Sequence, residues 1–282
     1  MLFSDEESNV YAVLDGASVP DIIQNLAKYK AESICLYRGE LEPELAQTAP
    51  YLVYLTADSE LTDWVLSGIG HHWGIFAISK ANIKDMRKHF RTFLMVYDPD
   101  GEPIYFRYYD PRVLRVFLPT CDDEEMEQVF GPVDNYFLES EDGTSLMSFT
   151  EDASDLLTTK RSNMLTIRKE QMDVLSQYML NQFSDRMELH LTKRYSEQTK
   201  KMNDGQLREL IVKGVEEAEE YDVTDENDVK RFLEYHVEYG RDFGYSSETK
   251  WAKQILNNKD LTGTSKMNEV DDYDLFVLTL GK

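Results

Sequence analysis

The sequence predicts an α+β protein: a mixed α/β N-terminal domain with a mixed, partly antiparallel sheet, followed by an all-α C-terminal domain. Three observations carry this. Up to about residue 150, short runs rich in aromatic and β-branched residues alternate with helix-like segments. From 150 to 163, "TEDASDLLTTKRSN", periodicity gives way to Ser, Thr and Asp, the composition of a linker. Beyond it, Met172, Leu175, Met179, Phe183, Met187 and Leu191 recur at spacings of three and four, which marks one face of a long helix. The expected boundaries are therefore 1–150 for the first domain, 151–163 for the linker and 164–282 for the helical domain.

In chain order, strands are expected at 11–17, 33–39, 51–56, 72–79, 92–98 and 103–110, with helices at 20–30 and 59–68. Pro20 suits the start of the first helix; Ser59 caps the second and Gly68 stops it. Asp100-Gly101 between the last two strands is a strong hairpin signal, so at least one pair is antiparallel. "DPRVLRVFLPT" reads as a short helix capped by Asp110, opened by Pro111 and closed by Pro119. "CDDEEMEQVFG" reads as a second helix, its acids placed where the N-terminal dipole favours them. "NYFLES" and "SLMSFT" make a closing hairpin. The long helix is expected over about 168–195, with shorter ones near 204–221, 225–239 and 246–258; Thr224 signals the start of the one at 225–239. The final apolar stretch, "YDLFVLTL", is open between a strand and a segment held by a partner.

The chain has 282 residues, 41% hydrophobic, enough to bury a real core. Its 53 acids against 30 bases give a net charge of −23, which opposes nonspecific attraction to nucleic acid or to an anionic membrane surface. No secretory leader is visible, and no apolar run approaches the roughly 20 residues of a membrane helix, so no membrane insertion and a cytoplasmic location are expected. The two cysteines, Cys35 and Cys121, stand far apart in no pairing motif, which suits a reducing compartment.

No pattern points to a catalytic, metal or cofactor site, and none is expected. His71 and His72 are adjacent and would point to opposite faces of a strand. The glycines of "SGIGHHWG" follow a helix and precede a strand, the reverse of the phosphate-binding order, and "GTSK" lacks the rest of a P-loop. "DPDGE" resembles the start of a calcium loop but reads better as a hairpin turn. The stretch "FRYYDPRVLRVFLPT" (106–120) concentrates Arg107, Arg112 and Arg115 around Tyr109 and Asp110. Arginine–aspartate pairing that fixes a strand-to-helix elbow explains it; an arginine–aromatic contact surface is the second reading, and an anion site for an enzyme a third.

"YAVLDGA", "CLYRGEL", "APYLVYL", "HHWGIFAIS", "FRYYDPRVLRVFLPT" and "FGPVDNYF", in this order, resemble the adaptor, or effector-chaperone, family of bacterial type VI secretion systems over about residues 9–138. The helical remainder resembles a tail module of proteins encoded in the same clusters. The family pattern falls on Trp73, Gly74, Arg107, Tyr109, Asp110, Arg112, Leu114, Phe130, Gly131 and Pro132, and Arg115 sits beside it. The resemblance implies a cytoplasmic, non-enzymatic protein that holds a toxic effector and helps load it onto the trimeric spike protein. An immunity protein that neutralises a toxin is the alternative from another class.

Overall fold

The computed structural model describes residues 2–5, 7–150, 164–203 and 205–280, in two compact units, Met1–Ser176 and Gln177–Lys282. The expected linker at 151–163 lies outside the described residues.

The first unit is built on a six-stranded sheet made of β1 (Asn9–Asp15), β2 (Ser33–Cys35), β3 (Pro50–Leu55), β4 (Gly74–Ser79), β7 (Asn135–Glu139) and β8 (Leu146–Thr150), in the order β2-β3-β1-β4-β7-β8. Every pairing in it is antiparallel. A second antiparallel pair, β5 (Met95–Tyr97) with β6 (Pro103–Tyr105), is joined by the expected Asp100-Gly101 turn. The class is as the sequence predicts, with one correction: parallel pairing among the described residues is confined to a single bridge between Tyr97 and Thr166. Short connections suffice for antiparallel neighbours, so no crossover helix is required.

β1 lies inside the sheet, and its alternation divides the core. Val10, Ala12 and Leu14 face a layer formed by α1 (Ile22–Lys28) and α3 (Glu60–Leu66), where Ile22, Leu26 and Val65 are buried. Tyr11 and Val13 face the other layer, with Met86 and Phe90 of α4 (Ile83–Arg91), Leu114 and Phe117 of α5 (Pro111–Phe117), and Val129 and Phe130 of α6 (Asp123–Phe130). Covered on both faces, β1 reads as a nearly continuous apolar run. Each such buried side chain contributes on the order of 2 kcal/mol relative to exposure. A further short helix, α2 (Pro43–Thr48), opens on Pro43; neither α2 nor α4 was expected from the sequence.

Leu165 and Ile167, expected with the helical part, are buried in the first core, and Tyr97 exchanges backbone hydrogen bonds with them at 2.9 and 2.8 Å. Arg168 then reaches Glu125 of α6 at 2.9 Å. The stripe of α7 (Lys169–Arg194) serves two cores: Met172 and Leu175 pack in the first unit, Phe183, Met187 and Leu191 in the second, and Met179 between them is exposed.

The second unit continues with α8 (Ser196–Thr199), α9 (Gln206–Glu220), α10 (Glu226–Tyr239), α11 (Lys250–Leu256) and α12 (Gly263–Leu280). Its core centres on Leu210, Ile211, Phe232, Leu233 and Phe243. The cap of α10 is Asp225, whose carboxylate accepts the Asn227 amide at 2.9 Å, one residue beyond the expected Thr224. The final apolar stretch is helical, not a strand. At its start, the lysine of "GTSK", Lys266, is buried and donates to the Tyr221 carbonyl at 2.6 Å, so that motif docks a helix.

Candidate functional site

The antiparallel register brings the C-terminal ends of β1 and β7 and the first residue of β4 to one end of the sheet. Leu14 pairs with Gly74, and Phe76 with Phe137, which sets Glu139 near the β4 start. Two carboxylates are buried there, Asp15 and Glu139, neither singled out by the sequence reading. A buried carboxylate must be paired or hydrogen-bonded, and residues 106–115 supply much of what these two need.

Asp15 accepts from the Ala17 amide at 3.1 Å and the Ser18 hydroxyl at 3.0 Å, and it pairs with the guanidinium of Arg107. The Asp15 amide donates to the Trp73 carbonyl at 2.8 Å. Burial alone would lower the Arg107 pKa; the charge and hydrogen bond of Asp15, with Tyr109 and Asp110 behind it, more than reverse this and raise it. Glu139 accepts the His72 amide at 3.1 Å through Oε1, and His72 Nδ1 lies 3.0 Å from Oε2 in a contact off the line of a hydrogen bond. The Glu139 carbonyl accepts Arg115 Nη1 at 2.7 Å.

Asp110 caps α5 as expected, taking the Arg112 amide on Oδ1 at 2.9 Å. Arg112 folds back on it, Nε to Oδ1 at 3.0 Å and Nη2 to Oδ2 at 2.7 Å, a bidentate pair. The stretch before it is not the expected strand: β6 ends at Tyr105, and Phe106, Tyr108 and Tyr109 are all buried instead of alternating. The chain turns at 108–110, which breaks the alternation and lets all three rings be buried. Tyr108 donates to the Phe90 carbonyl at 2.8 Å, while the hydroxyls of Tyr37, Tyr105 and Tyr109 form a chain with steps of 2.7 and 3.0 Å. Burial first, and for Tyr105 its tyrosine neighbours next, raises the pKa of both Tyr105 and Tyr109, so both stay protonated.

The other expected residues hold the same frame. Trp73 packs on Trp64 with ring centres 5.4 Å apart, and a Cβ on Gly68 would stand 2.2 Å from the Trp73 ring. A Cβ on Gly74 would stand 2.1 Å from the Val13 carbonyl oxygen. Gly131, at φ +49°, lies over His89, whose Nε2–H donates to the Val129 carbonyl at 3.0 Å. Ser79 donates to the Pro132 carbonyl.

Arg107, Tyr109, Asp110 and Arg112 are thus brought together, and Arg115 joins the neighbouring Glu139 group. Among the described residues each of the three guanidiniums is directed to an acceptor: Asp15, Asp110 and the Glu139 carbonyl. That gives the elbow two carboxylate locks and a carbonyl, the arginine pairing expected of a strand-to-helix elbow. The cysteines are not activated: burial raises the Cys35 thiol, and burial with Glu125 and Asp122 raises Cys121 to about 12. Asp98 spends its carboxylate on the amides of Asp100 and Glu102 in its own turn, at 2.9 and 2.8 Å. Among the described residues no group of three His, Cys, Asp or Glu could hold a metal ion.

The class defined by this arrangement is an antiparallel α+β domain whose sheet end is closed by an arginine-locked elbow, followed by a helical unit. Residues 10–128 match the model of a family described as "Domain of unknown function (DUF4123)", a family associated with type VI secretion. Comparisons with curated proteins and with solved structures find no match. No helix among the described residues is long and apolar enough to cross a membrane.

Proposed function

We propose that the protein is a cytoplasmic, non-enzymatic adaptor that binds a toxic effector of a type VI secretion system and helps load it onto the spike protein. The observation that carries the reading is the use of the arginine-rich elbow. Its charged groups close the sheet end, which supports reading the residues shared with the adaptor family as a rigid platform for a partner. The match over residues 10–128 supports the same reading. A stable complex with an effector would bury on the order of 800 Å² per partner, and the negative charge of the whole chain would speed encounter with a basic effector surface.

The test is co-purification of the tagged full chain with the products of its neighbouring genes. Retention of one toxin-like protein, together with loss of that toxin's delivery when the adaptor gene is deleted, is the expected result. Self-intoxication on deletion would identify an immunity protein and overturn the proposal.

A further inference from the structure

On this acidic molecule one cleft is lined only by cations and a threonine. Arg38, Lys84, Arg87, Lys88 and Arg91, with Thr92, surround a volume of about 520 Å³. Positions 84, 87, 88 and 91 form one stripe of α4, spaced i, i+3, i+4 and i+7, while Met86 and Phe90 on the opposite side are buried. Among the described residues no carboxylate lies within ion-pair distance of these five, although Arg107, Arg112, Arg168, Arg186, Arg208 and Arg231 each sit on one. Asp85, the acid of α4, is engaged by its cap residue Asn82 at 2.7 Å.

Two members are fixed in place. Arg87 donates from Nε to the Cys35 carbonyl at 2.9 Å and from Nη2 to the Tyr37 carbonyl at 3.1 Å; Arg91 donates from Nη1 to the Leu36 carbonyl at 2.6 Å. Carbonyls orient the guanidiniums without neutralising them, and each keeps further N–H donors. Burial, then repulsion from Arg38 and Arg87, lowers the Arg91 pKa. Like charges gathered without a counter-charge cost stability, which a bound anion would repay.

We infer that this cleft docks an extended acidic peptide segment of a partner protein, its carboxylates alternating along the α4 stripe. Lys84 to Arg91 spans roughly 10 Å of helix axis, and carboxylates two residues apart on an extended chain are separated by about 6.6 Å. Two such groups match the stripe, whereas one phosphate would cover only part of it. The net charge of −23 opposes a nucleic acid or an anionic bilayer, whose contact would extend beyond the cleft; a short acidic segment need only enter the cleft.

The inference takes from the adaptor reading only that the occupant is a protein. Its test is fluorescence anisotropy of a labelled peptide with alternating glutamate and serine on the purified full chain. Lys84→Glu with Lys88→Glu removes exposed side chains that make no hydrogen bond or ion pair among the described residues, so the fold should survive; the melting curve checks it. Saturable binding weakened at least tenfold by the double variant, and less than twofold by Lys253→Glu in the second unit, is the expected result. No binding, binding indifferent to the variant, or tighter binding of inorganic phosphate, a single-stranded oligonucleotide or anionic vesicles would overturn it. Effector capture by a chain that binds no acidic peptide would overturn the cleft alone. Peptide binding without any effector capture would overturn the adaptor reading alone.

Discussion

Arg107 is the residue on which the elbow turns, because its partner Asp15 is buried while its own side chain is half in solvent. Removing one member of a fully buried pair costs roughly 3–5 kcal/mol; with Arg107 half exposed and Asp15 keeping two other hydrogen bonds, Arg107→Ala should cost about 2 kcal/mol. Denaturant unfolding of the full chain measures this, and an unchanged midpoint would refute the lock. His89 supplies a pH signature. Burial lowers its pKa to about 4, against about 6.5 in the unfolded chain, so as pH falls the unfolded state takes the proton first. The stability is complete above about pH 6.5 and is lost as pH falls towards 4, by about 3 kcal/mol. His89→Gln should flatten that part of the melting-temperature profile relative to wild type; parallel profiles would contradict it. The arginines and Asp110 were legible because an N-cap followed by proline is a local signal. Asp15 and Glu139 were not, since the need for a partner arises only when antiparallel register buries both at one sheet end.

At the scale of elements, close approach decides what is tolerated. Gly74 sits where the Val13 carbonyl leaves no room for a Cβ, so Gly74→Ala should force β1 and β4 apart at a cost of about 3 kcal/mol. Hydrogen exchange on the β1 and β4 amides would register it; protection equal to wild type would refute it. Most strands and the long helix were legible from periodicity and turn chemistry. α4 was not, because its three apolar positions, Ile83, Met86 and Phe90, stand among six charged or imidazole side chains, and its cations line the cleft. The span 106–110 looked like strand because aromatic content mimics a β pattern; the tertiary core took all three rings and broke the alternation. The continuous stripe of α7 hid the division of its side chains between two cores.

For the whole molecule, charge and architecture bear on the partner. An excess of 23 negative charges should make association with a basic effector slow several-fold between about 50 and 200 mM salt while dissociation changes little; an association rate indifferent to salt would remove the steering argument. The central claim, that the chain carries a toxin to the secretion machine, is tested most directly by deleting its gene and counting surviving prey cells in competition, with secretion of the spike protein followed in parallel. The account predicts that delivery of one toxin is lost, that spike secretion continues, and that the producing cells stay healthy. Undiminished delivery of every toxin, or death of the producing cells, would contradict it.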